Sequence, residues 1–155
     1  MNDEKRDFES WAVCSNSAIR RATRQLGQLY DEVLAPSGLK GTQHTLLTQI
    51  HLSGNPSLKT LADGLVMDLS ALGHTLKPLI RDGLVELTPD TKDRRVKRVS
   101  LTPVGLAKWE EAHRLWQDAR QRFDQSFGAE ASQALRNALN LISSAGCADS
   151  FRQSI

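Results

Sequence analysis

The sequence predicts a mainly α fold carrying one small β-hairpin, an α+β arrangement in which a helix-turn-helix core is flanked by N- and C-terminal helices. Three observations predict it. Stretches at both ends of the chain place apolar residues at helical spacing, residues 57–82 read as helix, short turn, helix, and residues 84–102 alternate like two strands around a basic turn. With 155 residues, of which 39% are hydrophobic, the chain suits one domain or a small domain plus an oligomerisation element.

The first helix is expected over residues 11–34. There Ile19, Ala22, Leu26, Leu29 and Val33 step by three and four residues and draw one seam, and Ala35-Pro36-Ser37-Gly38 ends it. A second helix follows with Thr42 as its expected N-cap and Leu46, Leu47 and Ile50 inward, and Ser53-Gly54-Asn55-Pro56 stops it. Ser57 caps a third helix with Leu58, Leu61, Ala62 and Leu65 inward, and Val66-Met67-Asp68 turns the chain into a fourth, which runs to Arg81 or Asp82. On that fourth helix Leu69, Leu72, Leu76, Leu79 and Ile80 share one face, and Ser70, Ala71, His74 and Lys77 lie opposite. Pro78 removes a helical hydrogen bond beyond the first two turns, where a kink is tolerated, and Gly83 is the expected terminator.

The hairpin comes next. Val85 and Leu87 alternate with Glu86 and Thr88, Val99 and Leu101 alternate with Ser100 and Thr102, and Pro89-Asp90-Thr91 supplies turn chemistry. From Lys92 to Arg98 there are five basic residues and one acid, whereas residues 1–57 and 103–155 each hold six of either sign. The whole excess of the chain, +2, therefore lies in the middle third. A protruding basic β-ribbon is a shape that reaches into a DNA groove; a solvated charged loop is the competing reading of the hairpin taken alone.

Thr102-Pro103 starts a long helix on which Leu106, Trp109, His113, Trp116, Arg120, Phe123 and Phe127 form a seam, with His113 expected as a satisfied core histidine. A last helix after Gly128 carries Ala131, Leu135, Ala138 and Ile142, and residues 146–155 read as a tail. These seams exceed what a helix-turn-helix and hairpin can cover. The expected partner is a second copy of the chain, so that residues 8–35 and 103–145 form a dimerisation region, with Trp109 and Trp116 in the dimer core, around a DNA-reading region at 42–102.

No apolar run approaches a membrane span, and the start MNDEKRDFES lacks a secretory pattern, so a cytoplasmic location is expected. Cys14 and Cys147 have no ligand spacing, and His44 and His51, seven residues apart on one helix face, are too distant to share an ion, so no metal and no obligatory cofactor is expected. Nucleotide-binding glycine loops, the zinc-hydrolase His pair and the nucleophile elbow are all missing, which argues against an enzyme. A helix-turn-helix and hairpin used for protein contacts alone is the alternative.

Several of these segments resemble the MarR family of winged-helix transcription regulators. Asp93-Arg94-Arg95-Val96-Lys97-Arg98-Val99-Ser100-Leu101-Thr102 is similar to that family's wing signature, Asp-x-Arg followed by five residues and Leu-Thr. Residues 67–79 with Gly83-Leu84-Val85 resemble the recognition helix and its exit, and Tyr30-Asp31, Leu34-Ala35-Pro36, Gly38-Leu39 and Thr42-Gln43 resemble the junction of the first two helices. Leu69 and His74 stand where many relatives carry basic residues. The resemblance implies a homodimeric regulator of double-stranded DNA with a pseudo-palindromic operator, commonly a repressor, answering to a small aromatic effector or to an oxidant.

In that frame Ser70, Ala71, His74 and Lys77 are the candidate base-reading residues. Arg94 or Arg95 is expected in the minor groove and Lys92, Lys97 and Arg98 at phosphates, with Asp93 positioning the wing arginines. Trp11, Arg20 and His51 are candidate linings of an effector cleft between the dimer helices and the DNA-reading core. Cys14 is the candidate redox switch, and a small packing residue is its competing reading.

Overall fold

A computed structural model describes residues 13–154. Within them, seven α-helices and one hairpin follow in the order α1 (Ser15–Leu34), a 3-10 turn (Ala35–Ser37), α2 (Gly41–Ser53), α3 (Leu58–Gly64), α4 (Leu69–Arg81), β1 (Val85–Pro89), β2 (Lys97–Leu101), α5 (Pro103–Phe127), α6 (Ala129–Ile142) and α7 (Ala145–Gln153). The mainly α fold with a single two-stranded wing is as the periodicity predicts.

The turn between α1 and α2 is built from side chains as much as from backbone. Ser37 Oγ donates to the Leu34 carbonyl at 2.7 Å, and Gly38 at φ +73° adopts the left-handed backbone that reverses the chain. The N-cap of α2 is Lys40 and not Thr42, because two side chains meet the first free amides: Gln43 Oε1 accepts the Lys40 N–H at 2.9 Å, and Asp31 Oδ1 accepts the Gly41 N–H at 2.7 Å. Ser57 Oγ caps α3 by accepting the Thr60 N–H, as its position predicts.

Leu34, Leu46, Leu47, Ile50, Leu61, Leu72, Leu76, Leu79 and Val99 are almost wholly buried and form one core between α1, α2, α3, α4 and the wing. Each such side chain contributes about 1.5–3 kcal/mol relative to exposure. On α5 the deeply buried line is Gly105, Ala112 and Ala119, at steps of seven, rather than the larger apolar seam beside it. Small residues there let the helix approach α1 and the core closely. An added methyl at Gly105 would stand 1.8 Å from the Leu84 carbonyl oxygen, so only glycine fits.

Trp109 and Trp116, expected in a dimer core, are half-buried and pack against their own chain's core. Trp109 Nε1 donates to Thr48 Oγ1 at 2.9 Å, which ties α5 to α2. A stack runs from His51 through Trp109 to His113, and His44 and Trp116 close on His113 at centroid distances of 5.6 and 5.1 Å. His113 is half-buried rather than a satisfied core histidine, since among the described residues its buried Nδ1 has no hydrogen-bond partner. Burial, and then the neighbouring His113, pushes His44 down to about 4, so His44 is neutral at physiological pH.

The segment read as a tail contains α7, capped by Ser144 Oγ accepting the Cys147 N–H at 3.2 Å. Along α1, α6 and α7 the apolar faces stay open: Leu29, Leu141 and Phe151 are 47%, 67% and 72% exposed. Among the described residues no helix is long and apolar enough to cross a membrane.

Candidate nucleic-acid interface

Helix α4 is entered through a tight turn. Val66 takes φ +53°, the Met67 N–H bonds the Ala62 carbonyl at 2.9 Å, and Asp68 Oδ1 caps the helix by accepting the Ala71 N–H at 2.7 Å. Leu72, Leu76 and Leu79 anchor the helix in the core, and this leaves Ser70, His74 and Lys77 exposed, with Ala71 half-buried beside them. Leu69 and Ile80 depart from the expected inward face, being 58% and 38% exposed. The core closes at Leu72, so the first turn overhangs it, and Leu69 joins Ser70 on the free end of the helix.

Asp90 builds the wing turn. Its Oδ1 accepts the Lys92 and Asp93 N–H groups at 2.8 and 3.0 Å, and its Oδ2 accepts from Arg98 Nε. Those bonds, the Arg98 contact foremost, hold the Asp90 carboxyl down to about 2. Asp93 in turn holds Arg95: its Oδ1 accepts the Arg95 backbone N–H and Nε at 3.1 and 3.0 Å, and its Oδ2 accepts from Nη2 at 2.9 Å. The Arg95 side chain is nonetheless 91% exposed, so the carboxylate aims the guanidinium without covering it. Lys92, Arg94 and Lys97 are exposed on the same ribbon.

Arg98 departs from the expectation of a phosphate contact. Lys97 and Arg98 lie in β2, paired with Pro89 and Thr88, rather than on the tip. From there Arg98 reaches inward, to Asp90 and, through Nη1, to the Asn55 carbonyl at 3.0 Å. The Val99 N–H bonds the Pro56 carbonyl at 3.0 Å, so an isolated bridge ties the segment after α2 to the second strand of the wing. Sequence reasoning missed this brace and also missed Gly105. The signal for Gly105 was a glycine in the first turn of a helix, three residues after the Thr102 cap.

A profile of the MarR family matches residues 39–97, which span α2 through the start of β2. The multiple antibiotic resistance protein MarR of Salmonella typhimurium is 32% identical over 125 residues, covering 80% of this chain and 87% of that protein. The chain belongs to the MarR family. It is a winged-helix transcriptional regulator of that family rather than an enzyme. The Mycobacterium tuberculosis transcriptional regulator MosR, solved in complex with DNA, is similar in fold with a TM-score of 0.79 at 33% identity, covering 90% of this chain and 98% of that one. A cysteine-to-serine mutant of Escherichia coli MarR, solved with operator DNA, matches with a TM-score of 0.75 at 28% identity over 83% of this chain and 93% of that one.

In this MarR-family chain a cavity of about 540 Å³ opens between α1, α2 and α4, lined among others by Leu26, Tyr30, Asp31, Thr45, Met67, Thr75 and Trp116. Its place is the cleft expected from the sequence, but its lining is not. Arg20 is exposed on α1 and does not line it, and Trp11 lies outside the described residues. His51 faces a separate groove of about 370 Å³ formed with Ser100, Thr102 and Leu106, because it sits two turns beyond Thr45 at the wing end of α2. Cys14 is the half-exposed N-cap of α1, and a hydrogen bond with Ser17 holds its thiol below the ordinary cysteine range. Among the described residues no three His, Cys, Asp or Glu side chains converge on a metal position.

Proposed function

We propose that two copies of this chain bind a pseudo-palindromic double-stranded operator in the cytoplasm and repress transcription until a small effector enters the cavity between α1, α2 and α4. Each copy lays α4 in a major groove, where Ser70, Ala71, His74 and Lys77 meet base edges, and sets its wing over the adjacent minor groove. Arg94 and Arg95 enter that groove, while Lys92 and Lys97 lie at phosphates. Arg98 and Asp93 hold the ribbon rather than touch DNA.

The observation that carries this reading is the division of labour in the wing: two acids fold the turn internally while Lys92, Arg94, Arg95 and Lys97 stay exposed beside α4. The open apolar faces of α1, α6 and α7 support a second copy as the partner, since an isologous contact covers the same residues on both chains. The cavity supports the effector because Thr75 of α4 and Thr45 of α2 share its lining, so an occupant pushes on the base-reading helix directly. Cys14 supports a second, oxidative input, because its lowered pKa raises the thiolate fraction.

A gel-shift against the DNA upstream of the chain's own gene tests the proposal. A discrete complex that is lost when Arg94 and Arg95 are both replaced by Ala supports it. A double variant that shifts DNA as well as the native chain contradicts it, and favours a wing used for protein contacts. Loss of the complex under peroxide, absent in Cys14→Ser, tests the thiol input.

A further inference from the structure

Among the described residues, the lining of the α1–α2–α4 cavity contains one carboxylate, Asp31, and no Lys, Arg or His. Trp116 and Tyr30 bring two aromatic side chains to the same space. A cation near such faces is attracted by the ring quadrupole, and a carboxylate within the same walls adds to that attraction. An anion would meet Asp31 with no positive group to offset it.

The surroundings keep this charge pattern. Asp31 is fixed in place because its Oδ1 accepts the Gly41 N–H at 2.7 Å, and among the described residues its Oδ2 has no protein donor. Burial, and then Asp124, pushes the Tyr30 phenol up, so it stays protonated and adds no negative charge. Behind Trp116 the stacked His44 ring is neutral at physiological pH. Arg120 and Arg136, the cations that act on Tyr30, both pair with Asp124 and do not line the cavity. Arg24, next to Thr23 on α1, does not line it either.

We propose that this cavity selects a flat, lipophilic organic cation, an aromatic amine protonated at neutral pH, over an aromatic acid. The inference rests on the reading of the cavity as the effector site. It narrows the effector to a charge class opposite to that of the aromatic acids.

The test uses a matched trio at pH 7, 1-naphthylmethylamine, 1-naphthalenemethanol and 1-naphthoate, titrated into the native protein and read by calorimetry and by release of bound operator. The amine is expected to bind at least tenfold tighter than the alcohol, and the acid weakest. Asp31→Asn retains the Oδ1 acceptor for Gly41 and is expected to bring the amine to the level of the alcohol while leaving the alcohol unchanged. Gly27→Leu fills the cavity, since nothing lies within 4 Å of a methyl added there, and is expected to abolish binding of all three. An acid that binds as well as the amine, or an amine preference that survives Asp31→Asn, overturns the charge selection and leaves the cavity reading intact. Failure of all three to bind, or binding that persists in Gly27→Leu, overturns the cavity reading and this inference with it.

Discussion

Arg98 and Asp90 face each other across the hairpin, with the Arg98 Nε donating to Asp90 Oδ2 while the same Asp90 side chain, through Oδ1, organises the turn. Because Arg98 also reaches the Asn55 carbonyl, one guanidinium joins the wing turn to the segment after the second helix, and the wing's seat on the core is expected to depend on it. Arg98→Ala is therefore expected to weaken operator binding by about tenfold, roughly 1.4 kcal/mol, with an unchanged slope of affinity against salt. Arg94→Ala is expected to weaken binding and also reduce that slope by about one per copy. Anisotropy titrations of both variants at several salt concentrations separate a brace from a cation that displaces counterions from the groove.

Gly105→Ala is expected to be among the most damaging single changes in the chain. The added methyl overlaps the Leu84 carbonyl, and that carbonyl is held in turn by the Thr102 N–H at 3.1 Å, so neither backbone yields. We expect a loss of about 3 kcal/mol or more, visible as a drop of roughly 10 °C in melting temperature. Gly73→Ala is the control. Nothing lies within 4 Å of a methyl at that position, and removing a helical glycine is expected to add about 1 kcal/mol.

Stability should fall on acidification through His44. Its folded-state pKa, about 4, lies below its ordinary value of 6.5, so the unfolded chain binds the proton more readily. The contribution is complete above pH 6.5 and is lost as pH falls through about 4. It amounts to something on the order of 3 kcal/mol. Thermal melts between pH 7 and 4 should show the decline, and His44→Phe should flatten it. An identical pH profile in the variant would remove His44 as its source.

What was legible in the sequence follows the range of the forces involved. The wing was readable because Val85, Leu87, Val99 and Leu101 alternate locally, and α4 because Leu72, Leu76 and Leu79 repeat at helical spacing. The role of Arg98 was not, since its partner Asn55 lies 43 residues away and a charge count treats every cation of a ribbon alike. Gly105, Ala112 and Ala119 were overlooked because close helix approach is carried by small residues, which leave no apolar seam. Arg20 and His51 were misplaced for a related reason: the periodicity of a helix marks its apolar face but not which neighbour that face meets. For α7 the signal was present in Ser144, a cap with few large apolar residues after it.

Leu29→Glu tests the assembly. Leu29 is exposed on α1 in the single chain, and a charge in an isologous interface is buried twice. We expect the variant to be monomeric by light scattering, with its core intact by circular dichroism and its operator binding lost.

The central claim is that paired wings and recognition helices neutralise operator phosphates, and the measurement that tests it most directly is operator affinity as a function of salt. About four phosphates per half-site give a slope of log affinity against log salt of roughly −7 for the dimer. A slope near that value, cut by more than half when Arg94, Arg95 and Lys97 are replaced together in both copies, is the predicted result; a slope near zero would contradict the account.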